Sequence, residues 1–212
     1  PDFVLVYGDT NSTLAGALVA SKQNVPIIHI EAGLRSYNKM MPEEINRILT
    51  DHVSHALFAP TMNAVEILKK EGIVDRVFLM GDVMYDMVRI CEQRGIMKDD
   101  NSQAPYYFAT IHRPYNTDDL KRMKKILDIF EKLAYPVRFA VHPRTYAKIE
   151  GYLNATRFEN IQFLNPLSYF ETINAIYNSE MVITDSGGVQ KEAYMLRKRC
   201  ITVRSETEWI ET

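Results

Sequence analysis

Five short segments carry the residues best suited to chemistry: Gly8-Asp9-Thr10, Glu31-Ala32-Gly33-Leu34-Arg35, His112-Arg113, His142-Pro143-Arg144 and Asp185-Ser186-Gly187-Gly188. Each follows a short apolar run of β-forming residues. That places it at the carboxyl end of a strand, the edge at which open parallel sheets bind ligands. In Ser186-Gly187-Gly188 two glycines would let a ligand approach free backbone N–H groups at a helix N-terminus, an arrangement that suits phosphate. An ordinary Asp/Ser N-cap accounts for the same residues equally well. Glu192, about one turn into that helix, would accept hydrogen bonds from a ribose diol if it faces the same ligand, and is otherwise an exposed helix glutamate. Glu31 sits between Ile27-Ile28-His29-Ile30 and Ala32-Gly33-Leu34, where partial loss of water should raise its pKa toward values useful for proton transfer. Asp9 suits a helix cap, and Glu43 and Glu44, after Pro42, suit a first helical turn through the macrodipole. His29 and Glu31 alternate on a strand and point to opposite faces, so they make a poor metal pair and His29 reads as a core histidine.

The elements that must position these residues alternate along the chain. Strands are expected near 3–7, 26–30, 56–59, 76–80, 106–111, 137–141, 160–164, 181–184 and 200–204, with helices near 12–23, 43–54, 62–71, 83–94, 118–134, 145–154, 169–178 and 188–197. Such alternation is the signature of βαβ units and parallel sheets. It breaks once, at the wholly polar Lys98-Asp99-Asp100-Asn101-Ser102-Gln103, the natural boundary between domains. The expected organisation is a first Rossmann-like domain over 1–97, a linker over 98–105 and a second Rossmann-like domain over 106–212. The abrupt start at Pro1-Asp2 and the stop in an apparent helical turn at Thr212 suggest a fragment whose first domain is incomplete.

Composition narrows the class. A hydrophobic content of 46% in 212 residues supports buried cores, and 25 basic against 27 acidic residues leave a formal charge of -2, which offers nothing to nucleic acid or an anionic membrane. Cys91 and Cys200 lie far apart in apolar segments without metal-ligand spacing, and read as core thiols of a reducing compartment. No apolar run of 18 residues or secretory leader is present, so the expected location is the cytoplasm.

Taken together and in order, Val6-Tyr7-Gly8-Asp9-Thr10, His29-Ile30-Glu31-Ala32-Gly33-Leu34-Arg35, Pro42-Glu43-Glu44-Ile45-Asn46-Arg47, Thr110-Ile111-His112-Arg113 and Thr184-Asp185-Ser186-Gly187-Gly188-Val189-Gln190-Lys191-Glu192-Ala193 resemble the non-hydrolysing UDP-N-acetylglucosamine 2-epimerases. The resemblance spans essentially the whole chain. It implies a GT-B-like pair of Rossmann-like domains, a homodimer in the full-length protein, no cofactor and no metal, and a role in making polysaccharide precursors. Family members eliminate UDP to a 2-acetamidoglucal and add it back with protonation on the opposite face. By resemblance, Asp9, Glu31 and Glu43 are the acid/base carboxylates and His112 lies beside the diphosphate. Arg113 and Ser186-Gly187-Gly188 would hold phosphate and Glu192 the ribose, with Arg47 and His142 further substrate-binding residues toward a second nucleotide-sugar site. The family's Gly-rich, basic N-terminal loop and C-terminal helix have no counterpart here, so the fragment itself is expected to be inactive. The segments from His112 and from Arg204 look like the branch that includes archaeal enzymes and epimerases of UDP-2,3-diacetamido-glucuronate. A GT-B glycosyltransferase and a non-catalytic UDP-sugar-binding module are the competing readings.

Overall fold

The computed structural model describes residues 1–100, 104–204, 207–209 and 212. These form two compact units, one holding Pro1–Tyr85 with the returning stretch 207–209, the other running from Asp86 through residue 204 and including Thr212. The division falls ahead of the stretch expected as a linker. In that stretch the Lys98 and Asp100 amides donate to the side chains of Asn174 and Asn178, both in the second unit. Its residues 101–103 lie outside the described residues, as do 205, 206, 210 and 211 of the segment from Arg204.

The first unit alternates β1 (Val4–Tyr7), α1 (Asn11–Lys22), β2 (Ile27–Ile30), α2 (Pro42–Val53), β3 (Ala56–Ala59), α3 (Met62–Lys70) and β4 (Val77–Leu79). Its strands are parallel and lie in sequence order, β1-β2-β3-β4. Alternation along the strands sends Val6, Ile27, Leu57 and Ala59 into clusters with Ala17 and Ala20 of α1 and Ala64 and Leu68 of α3. Thr10 caps α1 by accepting from the Thr13 amide, and Pro42 opens α2, where a missing N–H costs nothing. Gly33, at φ 85°, fits where no other residue would, because a Cβ there would lie 2.6 Å from the Ala64 carbonyl oxygen.

α4 (Val83–Gln93) leads into the second unit, where Val88 and Cys91 pack against Ile173. There follow β5 (Tyr107–Thr110), α5 (Pro114–Thr117), α6 (Leu120–Glu131), β6 (Val137–Ala140), α7 (Pro143–Ala155), β7 (Ile161–Leu164), α8 (Tyr169–Asn178), β8 (Met181–Thr184), α9 (Gly187–Met195) and β9 (Arg199–Thr202). The strand order is β7-β6-β5-β8-β9, all parallel. The chain builds outward from β5 to β7, then returns to the other side of β5, so the topological switch point lies between β5 and β8. Both faces are covered: Met123, Leu127 and Phe130 of α6 pack on Phe139 and Ile183, while Ile176 of α8 and Ala193 of α9 pack on Phe108 and Val182. The alternation expected from sequence matches each strand to within two residues at either end. It missed α5, a four-residue helix opened by Pro114.

Candidate active site

In the first unit the polar residues gather at the carboxyl ends of β1, β2 and β4. Glu31 follows β2 in the left-handed region, at φ 72°, a conformation that costs a side-chain-bearing residue about 1–2 kcal/mol. Its half-buried carboxylate shares a hydrogen bond with the Tyr7 hydroxyl. Burial and the negative charges of Glu31, Asp82 and Asp9 together hold the Tyr7 phenol far above its ordinary pKa, so it remains a donor at every physiological pH.

Asp9 is fixed from three sides. Gly8, at φ 65°, turns the chain out of β1, its amide donating to the Ile30 carbonyl. The Asn46 side chain donates to the Asp9 carbonyl, and Arg47 Nη1 reaches Asp9 Oδ2 at 2.7 Å. Burial raises the Asp9 pKa, Arg47 opposes this, and the charges of Glu208 and Glu43 raise it further. A carboxyl so placed holds a proton more readily than an ordinary aspartate.

Arg47 is only 1% exposed; its Nη2 and Nε donate to Glu44 Oε2 at 2.9 and 3.2 Å, and Nη2 also reaches Ser36 Oγ at 3.4 Å and Met41 Sδ at 3.6 Å. Its guanidinium is committed to Asp9 and Glu44 in this arrangement. Glu43 is half-buried on the first turn of α2. Its neighbour Glu44, read from sequence as a macrodipole residue, is 1% exposed and accepts the Ser36 and Tyr37 amides at 2.8 Å each. Despite burial, these donors and Arg47 hold the Glu44 pKa below the usual value. Glu44 therefore organises the loop after β2. Below it lies a wholly buried chain in which His29 joins the Gly8 carbonyl to Asp51, and Asp51 joins Arg35 and the Gly33 amide.

In the second unit the site forms at the switch point, where Thr110 and Thr184 hydroxyls meet at 2.7 Å. Asp185, fully buried, is its hub, accepting from the His112 and Arg113 amides and, at 2.8 Å, from the Asn116 side chain. Arg113 Nε donates back to the Asp185 carbonyl at 3.0 Å. The carboxylate thus pulls the turn after β5 against the turn after β8. Ser186, not Asp185, is the N-cap of α9, accepting from the Val189 amide. Gly187 and Gly188 open the helix, Gly187 buried and Gly188 half-buried.

His112 is 45% exposed and 3.4 Å from Asp185 through Nδ1. Loss of water lowers its pKa, aided by the charges of Arg113 and His142 and opposed by Asp185, so the ring is neutral at pH 7 and available as a hydrogen-bond partner. His142 is exposed and caps α7, accepting from the Arg144 amide. The two histidines share a cleft of about 200 Å³ lined also by Thr110, Pro166, Leu167 and Val189.

Glu192 is 5% exposed, which removes the exposed-glutamate reading. Its surroundings include Cys91 and Tyr169, and burial pushes its pKa up to about 7 against the charge of Lys191. A buried carboxyl that, among the described residues, has no charged partner beyond a sequence neighbour suits a ligand that brings hydroxyl donors. Cys91 is a buried free thiol, whereas Cys200 is only half-buried.

Sequence reasoning placed Asp9 and Glu31 at strand ends of the first unit and His112, Arg113, His142 and Ser186–Gly188 at strand ends of the second, with Glu192 about one turn into the helix that follows, and named Glu43 and Arg47 by resemblance. It did not find the roles that Tyr7, Glu44, Asp51, Glu208 and Asn116 play, or that of Asp185 as hub. For Asp185 a signal existed, since an aspartate directly after a buried strand is too deep to be a plain cap. For Tyr7 and Glu208 none did, because their relevance comes only from long-range proximity.

Comparison with known proteins follows the same lines. A family model described as UDP-N-acetylglucosamine 2-epimerase matches residues 1–212. A UDP-N-acetylglucosamine 2-epimerase homolog of Methanococcus maripaludis is 47% identical over all of this chain and 62% of its own length. The UDP-2,3-diacetamido-2,3-dideoxy-D-glucuronate 2-epimerase of Pseudomonas aeruginosa is 49% identical over all of this chain and 61% of its own. The crystal structure of Methanocaldococcus jannaschii UDP-GlcNAc 2-epimerase in complex with UDP-GlcNAc and UDP superposes with a TM-score of 0.84 at 40% identity, over all of this chain and 62% of that one. The chain thus spans a little over three fifths of the length of these relatives. With the match running from its first residue to its last, the chain belongs to the UDP-N-acetylglucosamine 2-epimerase family.

Proposed function

We propose that the full-length protein inverts C2 of a UDP-linked 2-acetamido sugar. The hydrogen on C2 has no adjacent carbonyl and is only weakly acidic, so direct removal and return is unfavourable. Loss of the C2 proton with cleavage of the C1–O bond instead gives a 2-acetamidoglucal and free UDP. Re-addition of UDP at C1, with a proton delivered to the other face of C2, completes the inversion. Asp9, Glu31 and Glu43 are the proton-handling carboxylates of the first unit. His112, Arg113, the Ser186–Gly188 helix end and Glu192 of the second hold diphosphate and ribose, and neutral His112 offers a donor to the departing phosphate.

The observation that supports this reading most is the rim of the first unit, where a strained Glu31 bonds the Tyr7 hydroxyl and an Asp9 of raised pKa is held by the buried Arg47 and Asn46. A sugar-binding module would gain nothing from that strain, and a glycosyltransferase has no need of the three carboxylates together. The similarity to the Pseudomonas aeruginosa diacetamido-glucuronate enzyme favours a second substrate, the corresponding uronate. Arg47 and His142 remain proposed as substrate-binding residues, although Arg47 must first release Asp9 or Glu44 to reach a ligand. The full-length protein is expected to act as a cytoplasmic homodimer supplying a precursor of cell-surface polysaccharide. Among the described residues no helix is long and apolar enough to cross a membrane.

Incubation of the full-length protein in deuterated water tests the assignment. Deuterium at C2 with a manno-configured product is expected, from UDP-N-acetylglucosamine or, on the second substrate reading, from the diacetamido-uronate. Bound but unchanged nucleotide sugar would point to a binding module, and UDP release that depends on an acceptor would point to a transferase. Residues 1–212 by themselves are expected to give little or no turnover.

A further inference from the structure

Resting on the proposed roles of Asp9 and Glu31, we infer that His29 is a positioning residue, held as an imidazolium, that ties the two carboxylate-bearing turns to one buried scaffold. The ring is 0% exposed. Its Nδ1 lies 2.7 Å from Asp51 Oδ1 and its Nε2 lies 2.9 Å from the Gly8 carbonyl oxygen. A carbonyl oxygen only accepts, so Nε2 must carry a proton. Asp51 Oδ2 accepts from the Gly33 amide at 3.1 Å and from Arg35 Nη1 at 2.7 Å, the bonding expected of a carboxylate. The 2.7 Å contact between Oδ1 and Nδ1 needs a proton between them, and with the Arg35 guanidinium on Oδ2 the carboxylate–imidazolium form is the charge-matched one, which puts that proton on Nδ1. Between two acceptors the ring donates from both nitrogens and is positively charged.

The charges in this buried chain are accounted for. Asp51 faces two cations, His29 and Arg35, and Arg35 is matched in turn by Glu71, bound through two donors at 2.7 and 2.8 Å. Glu71 is the one member of the chain with notable exposure, at 26% of its side chain, and His52 approaches it at 4.0 Å. Among the described residues the ring bonds to no titratable group other than Asp51.

The mechanical consequence lies in what the pair holds. The Gly8 carbonyl fixes the turn that presents Asp9, while the Gly33 amide and Arg35 fix the turn that follows Glu31. Those two turns leave different strands. Through His29 and Asp51 a displacement of one is transmitted to the other, which matters for carboxylates that must serve opposite faces of one carbon.

Glutamine can replace the ring with similar spacing between its amide oxygen and nitrogen, but it then turns an acceptor toward Asp51. In the full-length protein, His29→Gln is expected to lower the rate of C2 deuterium exchange roughly 10- to 100-fold with less than about a threefold change in KM, since the nucleotide site is untouched. The double variant His29→Gln/Asp51→Asn restores a donor chain: the amide introduced at position 51 donates to the amide oxygen introduced at position 29, whose nitrogen donates to the Gly8 carbonyl. It is expected to recover at least part of the lost kcat. A merely structural role would lower the folded fraction and leave the exchange rate per folded molecule unchanged. Nitrogen-15 spectra of the full-length protein, compared with those of His29→Gln, are expected to show His29 protonated on both nitrogens at pH 7. A single bare nitrogen would overturn the inference, as would a double variant no more active than His29→Gln. Wild-type protein inert toward every UDP-amino sugar would instead sink the functional reading, and the nitrogen spectra would still decide the state of His29.

Discussion

Glu31 and Glu192 each occupy a position that a stability-optimised chain would fill differently. At φ 72°, Glu31 sits where asparagine or glycine is at ease. Glu31→Asn is therefore expected to raise unfolding free energy by up to about 1 kcal/mol while abolishing C2 exchange, measured by thermal denaturation alongside the deuterium assay. For Glu192 the sign follows from protonation. Its folded pKa of about 7 lies above the ordinary value of 4.5, so the folded state holds the proton more tightly than the unfolded chain. Its contribution to stability is complete below pH 4.5 and is lost as pH rises from there through 7. The span corresponds to roughly 3 kcal/mol, and Glu192→Gln should recover much of it at pH 8 while weakening UDP binding. Denaturant titrations at pH 5 and pH 8 would show the variant gaining only at the higher pH; equal shifts at both would refute the assignment.

At the scale of elements, two positions carry the site. Gly33→Ala adds a methyl group into the Ala64 carbonyl at a positive φ, and should cost about 2–3 kcal/mol and displace the turn after β2. Asp185→Asn keeps the size of the hub but removes the charge that gathers two amides and the Asn116 side chain. It should cost about 2 kcal/mol and lower UDP affinity without abolishing folding, as calorimetry would show. These elements were largely legible in the sequence, because short apolar runs such as Val4-Leu5-Val6 alternate with capped amphipathic helices, and polar residues cluster just past each strand. The division between units was less so. The polar run at Lys98 reads as the domain boundary, yet α4 already packs Val88 and Cys91 against Ile173, and apolar contact of that kind leaves no local mark. The same limit hid Glu44 and Asp51, whose burial depends on the loops that fold over them. Helical periodicity placed them on α2 but could not say that amides from Ser36, Tyr37 and Gly33 would seek them out.

Across the whole molecule, the chain forms two compact units with separate cores, and the proposed function assigns proton handling to the first and nucleotide holding to the second. UDP at a hundredfold excess over its Kd should stabilise the unit that binds it by about 2.7 kcal/mol. Hydrogen exchange should then show added protection in β5, β8 and the start of α9, with little change at His29; protection confined to the first unit would contradict the division. The switch-point order of the second sheet has a kinetic side as well. The Thr110–Thr184 contact bridges 74 positions of chain, and the Asp185 bonds to His112 and Arg113 bridge nearly as many. Local pairing cannot create that junction, since β6, α7, β7 and α8 must be threaded before β8 arrives. The turn proposed to hold phosphate is therefore expected to be among the last features to assemble during refolding, and recovery of UDP affinity would time its completion.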